Sequence, residues 1–182
     1  MNKDKVKVKV TNLTKKFGDL LVLDDISFEV MEGEFLCIVG PTGCGKTTFL
    51  NSLTKLYDIT AGEILVNGEP VDLKKHNIAY IFQEYSTFPW LKVEENIKYG
   101  LKLKKLPEHV IQERADAVIR MVGLEEFRNY YPDQLSASML QRVVIARAFA
   151  VQPELLIMDE PYGQLDISLR LKLEDERIKL WQ

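Results

Sequence analysis

The residues of this chain best suited to chemistry form a glycine-rich stretch between two apolar runs. The stretch consists of Gly40, Pro41, Thr42, Gly43, Cys44, Gly45, Lys46, Thr47 and Thr48. Glycines let the backbone turn tightly and aim successive N–H groups into one concavity, and a helix that starts there adds its positive dipole end. Such a loop predicts polyphosphate binding, with the Lys46 ammonium on the β- and γ-phosphates and the Thr47 hydroxyl on Mg²⁺. The alternative interpretation is a glycine-rich turn that binds nothing.

Two consecutive acidic residues end a second apolar run. Residues 154–158 predict a buried strand, and Asp159 and Glu160 follow it. Because a strand end can hold one carboxylate near a metal ion and the next beside an attacking water, Asp159 is a candidate Mg²⁺ ligand, mainly through water, and Glu160 a candidate general base. By itself such a pair is more often a helix cap or a surface pair. Together with Lys46 and Thr47 it predicts a catalytic site.

Apolar periodicity indicates the strands that must position these groups. We expect them at residues 5–10, 20–23, 26–30, 35–39, 62–71 and 78–82, the fifth range holding two short strands. Residues 35–39 are predicted to form a buried strand that leads into the glycine-rich loop. The helix after that loop is predicted to run to about Tyr57. Asn67-Gly68 predicts a tight hairpin turn within its range. The strand of residues 78–82 ends at Gln83.

The middle of the chain has no strand pattern. Between residues 84 and 150 we expect helices, one opened by Pro107 and closed by Gly123, and another from about Ala137 to Ala150. The apolar positions of the first fall on one face, at Ile111, Ala115, Val118, Ile119 and Val122. This stretch therefore predicts an all-helical insertion. A last helix is expected at residues 167–181.

Bulk composition narrows the class of protein. The 182 residues suffice for one sizeable core and an inserted subdomain. A hydrophobic content of 46% with a net charge of -3 is ordinary for a globular protein and disfavours a nucleic-acid partner. No apolar stretch is long enough to predict a membrane span. The two cysteines, Cys37 and Cys44, are most consistent with a reducing cytoplasm.

Taken together, these motifs resemble those of the ATP-binding subunits of ABC transporters, from about Val6 to the chain end. The matching features, in order and spacing, are a Walker A at residues 40–47, a glutamine loop at Gln83, a signature-like stretch from Leu135, a Walker B through Asp159-Glu160 and a D-loop at Leu165-Asp166. The resemblance implies an α/β fold, a three-layer P-loop NTPase core with an antiparallel β-subdomain. It implies a single domain over residues 1–182, lacking its C-terminal end, with the helical insertion at residues 84–150.

The same resemblance implies ligands and partners. ATP and Mg²⁺ would bind, with Phe17 stacked on the adenine, Gln83 near nucleotide and metal, and Asp166 in the D-loop. A face stack is chemically sensible because an aromatic ring on a base supplies about 1–3 kcal/mol. The alternative for Phe17 is plain core. The partners implied are a second copy of the chain, transmembrane permease subunits and, indirectly, a solute-binding protein, on the inner face of the cell membrane.

Residues 82–97 are similar to importers of the nitrate, taurine and sulfonate type. The exposed Phe88-Pro89-Trp90 segment would offer apolar area to a helix of the membrane partner. The alternative is that Phe88 and Trp90 merely close the helical insertion. A small anionic solute is the subclass this similarity favours.

Two departures from the family pattern bear on activity. The family signature Leu-Ser-Gly-Gly, followed by Gln or Met, is here Leu135-Ser136-Ala137-Ser138-Met139. The resemblance implies that this segment reaches across a dimer to the γ-phosphate on the partner, and the added Cβ atoms would hinder close approach and any φ > 0 backbone. The alternative is that both φ angles are negative and the side chains point away.

The second departure is the missing switch-loop histidine and last strand of the family. The only histidines, His76 and His109, precede Asp159. We therefore expect either a truncated copy or a naturally short member. The predicted function is ATP hydrolysis that energises an importer. The rivals are a nucleotide-binding module with little or no hydrolysis and, disfavoured by charge, an ABC ATPase acting on DNA or ribosomes.

Overall fold

A computed structural model describes residues 5–160 of the chain, which fall into two compact units. The first comprises residues 5–76 and the second residues 77–160. Each unit has its own elements. The predicted D-loop with Asp166, and the helix expected at residues 167–181, lie outside the described residues.

The first unit is an antiparallel sheet with one helix. Its elements are β1 (Val6–Phe17), β2 (Leu20–Met31), α1 (Lys46–Leu53), β3 (Ala61–Val66) and β4 (Glu69–Pro70). The strand order is β2-β1-β3-β4. The strand predicted at residues 5–10 is part of β1, in which Val8 and Val10 are buried while Lys9 pairs with Glu29 at the surface. The expected antiparallel subdomain is thus present, with the strands predicted at residues 20–23 and 26–30 joined into one.

The hairpin between β3 and β4 has the predicted turn. Asn67 and Gly68 have φ angles of 54° and 81°. Positive φ at both central residues defines a type I′ turn, whose twist matches that of the flanking strands. The Asn-Gly pair determines this turn locally.

Two expectations for the glycine-rich loop region are wrong. Residues 35–39 form no strand, and the side chains of Phe35 and Val39 are 62% and 84% exposed. An apolar run becomes a buried strand only where neighbouring strands pair with it, and the four-stranded sheet of this unit does not include it. Helix α1 also ends at Leu53, before Tyr57, because Lys55 adopts a left-handed φ of 55°.

The second unit combines two parallel strands with helices. Its elements are β5 (Ile78–Ile81), α2 (Val93–Leu103), α3 (Glu108–Val122), α4 (Ala137–Ala150) and β6 (Leu155–Met158), with 3₁₀ turns at Glu125–Phe127 and Pro132–Gln134. Every regular element between residues 84 and 150 is helical. Because β5 and β6 are parallel, the residues that follow them emerge at one edge of the sheet.

Helices α3 and α4 lie where the sequence predicts them. Pro107 is the N-cap of α3, and Gly123 ends it with a φ of 66°. The inward face of α3 carries Ile111, Ala115 and Ile119, which pack with apolar side chains of α2 and α4. Among the described residues, no helix combines the length and apolarity that crossing a membrane requires.

Candidate nucleotide-binding site

The glycine-rich loop lies in the first unit and adopts backbone angles that glycine accommodates best. Gly43 and Gly45 have φ angles of 81° and 98°. A Cβ on Gly45 would lie 3.0 Å from Leu23 Cδ2 and 3.2 Å from the Val22 carbonyl oxygen. The loop therefore packs directly on β2. Residue 45 needs to be glycine because its φ angle is left-handed and a Cβ would crowd Leu23 and Val22.

The N-terminus of α1 has features that favour an anion. Gly45 is the N-cap and offers no side-chain cap, and the first turn of α1 contains no acidic residue. The positive end of the helix dipole therefore favours a bound phosphate at this end. Thr47 and Thr48 belong to the same first turn, which brings their hydroxyls to this end of the helix.

Lys46 is held within the loop that precedes it. Its Nζ donates hydrogen bonds to the carbonyl oxygens of Gly40 and Pro41, at 2.9 and 3.0 Å. The same ammonium lies 4.0 Å from the sulfur of Cys44. Pro41, Thr42 and Cys44 are exposed around it. The loop thus gathers one cation, a helix N-terminus and accessible backbone, which is the chemistry of a phosphate-binding site.

Phe17 ends β1 and is not part of the core. Its side chain is 44% exposed, and its ring packs perpendicular to the Tyr57 ring with centroids 5.4 Å apart. In the β1–β2 pairing Lys15 lies opposite Leu23, the residue that contacts Gly45. One strand therefore separates the end of β1 from the glycine-rich loop. The accessible ring is suited to stacking on a base.

The acidic pair and the glutamine come together in the second unit. Ile81 pairs with Met158, so Gln83 and the residues after β6 leave the parallel strands at the same edge. The Gln83 Nε2 donates a hydrogen bond to the Glu160 Oε2 at 3.1 Å. Asp159 is only 5% exposed, and its backbone N–H donates to the Ile81 carbonyl oxygen at 2.9 Å. The second unit thus brings Gln83 into contact with Glu160.

The predicted metal ligands have the right donor chemistry for Mg²⁺. Thr47, Gln83 and Asp159 offer hydroxyl, amide and carboxylate oxygens, the hard donors that Mg²⁺ prefers. Within residues 5–160 no group of three His, Cys, Asp or Glu side chains is arranged to hold a metal ion.

The signature-like segment forms the start of α4. Ser136 is the N-cap, and its Oγ accepts a hydrogen bond from the Met139 N–H at 3.3 Å. Ala137 and Ser138 are the first helical residues, and neither has a positive φ. The concern that Cβ atoms forbid a left-handed backbone here therefore does not apply.

Sequence reasoning missed the residues that support Phe17 and the segment after Gln83. Lys15 and Tyr57 contact the Phe17 ring, and Arg147 donates a hydrogen bond to the carbonyl oxygen of Ser86 at 2.6 Å. Lys15 lies two residues before Phe17 on the same strand, which is a usable signal for a shared face. Tyr57 and Arg147 carry no such signal, because only the fold brings them to these contacts.

Comparison with known proteins identifies the class. A sequence profile described as ABC transporter matches residues 23–163, more than half of the chain. An uncharacterized ABC transporter ATP-binding protein of Methanocaldococcus jannaschii, MJ0412, is 45% identical over 98% of this chain and 68% of its own length. The sulfate/thiosulfate import ATP-binding protein CysA of Synechocystis sp. is 41% identical over 90% of this chain, which spans only 47% of that relative.

The fold is also that of solved ATP-binding cassettes. A dimeric structure of a post-hydrolysis state of the cassette MJ0796, bound to ADP and Pi, matches with a TM-score of 0.87 and 32% identity, covering 96% of this chain and 83% of that one. The α/β architecture and the glycine-rich loop define a P-loop ATPase. Within that class, the chain belongs to the ABC transporter family.

Proposed function

We propose that this chain binds Mg-ATP and hydrolyses it to energise an ABC importer of a small anionic solute. The observation that carries the proposal is the phosphate loop of the first unit. Gly43 and Gly45 adopt left-handed angles, α1 starts without a side-chain cap, and Lys46 lies among the loop carbonyls. Together these features provide the N–H groups and the positive charge that a triphosphate requires.

The residues divide the chemistry among them. Lys46 would bind the β- and γ-phosphates, Phe17 would stack on the adenine, and Thr47, Gln83 and Asp159 would hold Mg²⁺. The ion, when bound, neutralises charge on the phosphate oxygens. Glu160 accepts the proton of the attacking water. Its hydrogen bond from Gln83 Nε2 orients the carboxylate for that task.

A second copy of the chain completes the proposed site. Residues 136–139 would approach the γ-phosphate held by the partner copy through the N-terminus of α4, where N–H groups and the dipole favour an anion. In this proposal residues 84–150 are a helical insertion of one nucleotide-binding domain, and Asp166 belongs to its D-loop. The dimeric cassette MJ0796 supports this assembly, since it covers 96% of this chain.

An aromatic surface of the second unit is the proposed contact for a permease helix. The Phe88 ring lies 5.7 Å from that of Trp90 and 4.6 Å from that of Tyr99, and the Trp90 side chain is 70% exposed. The Arg147 guanidinium lies 4.9 Å from the Phe88 centroid and supports it from the protein side. Exposed apolar area of this kind is typical of a docking surface. The chain would thus sit on the inner face of the membrane, with a solute-binding protein as an indirect partner.

The proposed class of solute is a small anion. It rests on the similarity of residues 82–97 to nitrate, taurine and sulfonate importers, and the sulfate/thiosulfate relative supports it. Vesicles that contain the chain and its permease should hydrolyse more ATP when binding protein loaded with sulfate or taurine is added. Stimulation by a polyamine instead would contradict the anionic class.

A second candidate function is a nucleotide-binding module with little hydrolysis. Ala137 and Ser138 occupy the positions of the two family glycines, and their Cβ atoms lie at the helix start that should approach phosphate. Steady-state phosphate release by the unaltered chain, with and without the permease, separates the two candidates. Turnover of the unaltered chain that is no higher than that of Glu160→Gln under both conditions would favour the second.

Two substitutions test the assigned chemistry. Lys46→Ala should abolish ATP binding because it removes the phosphate contacts, whereas Glu160→Gln should preserve binding and lower turnover by about 10²-fold or more, since it removes only the base. Binding is measured by calorimetry and turnover by phosphate release. Equal loss of binding in both variants would contradict the role of Glu160.

A further inference from the structure

The ring of Phe17 has a cation over one face. Lys15 Nζ lies 4.5 Å from the Phe17 centroid and 5.8 Å from the Tyr57 centroid. The Phe17 and Tyr57 centroids are 5.4 Å apart, with the ring planes at 88°. These three distances place Tyr57 beside the Phe17 ring, since a Tyr57 on the face opposite the ammonium would lie much farther from Lys15. The opposite face of Phe17 is therefore left uncovered by these two residues.

Hydrogen bonds hold this arrangement in place. Lys15 Nζ donates to the Asp58 carbonyl oxygen at 2.6 Å, and the Lys16 N–H donates to Thr60 Oγ1 at 2.9 Å. The Thr60 N–H donates to the Thr14 carbonyl oxygen at 2.9 Å. The segment from Tyr57 to Thr60 is thereby tied to the end of β1, so Lys15 and Tyr57 are fixed relative to Phe17.

The same segment connects the end of β1 to the phosphate loop. It follows α1, whose N-terminus forms the anion site. On the other side, Lys15 pairs across the sheet with Leu23, against which Gly45 packs. The end of β1 and the phosphate loop are therefore linked on two sides within the first unit.

We propose that Lys15 and Tyr57 are positioning residues for the nucleotide base. Lys15 covers one face of the Phe17 ring and Tyr57 packs against its edge, so the purine stacks on the other face. An ammonium on the far side also draws π density away from the open face, which strengthens stacking with an electron-rich purine. The inference rests on the proposed function, because it assumes that Phe17 receives the base.

The test compares a nucleotide with a ligand that has phosphates and no base. Calorimetry with Mg²⁺ gives the dissociation constants of ATP and of inorganic tripolyphosphate for the full chain. Lys15→Met should weaken ATP binding roughly two- to fivefold, because the purine stacks less strongly on Phe17 without the cation, and should leave tripolyphosphate within twofold. Lys15→Arg should retain ATP binding because it keeps the cation.

Lys16→Met is the matched control. It removes the same positive charge at the next residue, whose own side chain is exposed. It should change neither constant. Tyr57→Ala should weaken the binding of ATP and not that of tripolyphosphate, as Lys15→Met does. It tests the same arrangement around Phe17 if Lys15→Met fails to fold. Tyr57→Phe should behave as the unaltered chain, because the argument uses only the ring.

The outcomes separate this inference from the proposed function. An equal loss of ATP and tripolyphosphate affinity in Lys15→Met would mean that Lys15 acts through its charge on phosphate, and it would overturn the inference. No change in Lys15→Met and Tyr57→Ala would also overturn it. If the unaltered chain binds neither ligand, the proposed function is wrong, and so is the proposed role of Lys15 and Tyr57 in positioning the base.

Discussion

Individual residues of the phosphate loop combine structural and chemical requirements. A Cβ on Gly40 would lie 2.7 Å from the sulfur of Cys44, so a larger residue there would have to displace that thiol. Cys44 itself is exposed and 4.0 Å from Lys46 Nζ. Its side chain therefore lies where a bound triphosphate would cover it.

Alkylation of Cys44 should report nucleotide occupancy. A maleimide adduct would fill the loop and abolish ATP binding, and saturating Mg-ATP should slow the labelling about tenfold or more because the bound phosphates shield the thiol. The experiment uses a Cys37→Ser variant, since Cys37 is also exposed and free. The labelling rate is followed by mass spectrometry. An identical rate with and without saturating nucleotide would contradict the assignment of the loop.

At the level of elements, the start of α4 depends on one hydroxyl. Ser136 caps the helix through its bond from the Met139 N–H. Ser136→Ala should lower the free energy of unfolding by about 1 kcal/mol, because an orphan N–H loses its acceptor. Ser138→Ala is the control, since that hydroxyl is not the cap, and it should be neutral or slightly stabilising. Urea unfolding that shows the same loss in both variants would exclude the capping role.

The helices of the second unit are joined by a charged network. Glu94 on α2 contacts Lys98 at 2.7 Å and accepts a hydrogen bond from Gln112 of α3 at 3.1 Å. Arg128 lies 3.7 Å from Glu94 and pairs with Asp116 of α3. Burial alone would raise the pKa of Glu94, but the bonds from Lys98 and Gln112 and the nearby cations lower it from its usual value.

The network predicts a loss of stability in acid. The hydrogen bond from Arg128 lowers the pKa of Asp116 below its usual 3.8. A carboxylate with a lowered folded pKa contributes stability above its unfolded pKa, and that contribution is lost as the pH falls through the folded value. Unfolding free energies of Asp116→Asn should therefore fall less steeply than those of the unaltered chain below about pH 4.

The comparison needs a carboxylate outside the network. Asp133→Asn provides it, because Asp133 is exposed in the 3₁₀ turn Pro132–Gln134. Urea unfolding monitored by circular dichroism across the acid range gives the slopes. Equal slopes for Asp116→Asn and the unaltered chain would show that the pair with Arg128 does not contribute to acid sensitivity.

At the level of the whole molecule, the signature segment should govern assembly more than binding. Restoring glycine by Ala137→Gly with Ser138→Gly, in a Glu160→Gln background, should raise the dimer fraction in Mg-ATP, because these Cβ atoms would meet nucleotide only from the opposite copy. Monomer ATP affinity should change less than twofold. Each glycine in the first turn costs helix stability, up to about 1 kcal/mol.

Light scattering with Mg-ATP measures that dimer fraction. The same glycine pair in a Lys46→Ala background is the control and should stay monomeric, because it cannot bind the nucleotide that joins the two copies. An unchanged dimer fraction with normal monomer affinity would show that Ala137 and Ser138 do not limit closure.

What the sequence determined by itself is local. The Asn67-Gly68 turn, the helix from Pro107 to Gly123, and the start of α4 after Ser136 were all predicted, because backbone preferences and caps act within a few residues. The same holds for the glycine-rich loop, whose motif names the residues and whose φ angles at Gly43 and Gly45 are those that glycine permits. Apolar periodicity likewise located the strands on either side of the helical segment, except at residues 35–39, which form no strand.

Only the tertiary structure decided which of these residues meet. The apolar run of residues 35–39 has the pattern of a buried strand, yet it is exposed, because a strand requires neighbours that sequence pattern does not specify. Gln83 contacts Glu160, and Tyr57 contacts Phe17, across long stretches of chain. Periodicity reports which face of an element is apolar, whereas these contacts depend on how elements pack, so the supports of the candidate site emerged only from the fold.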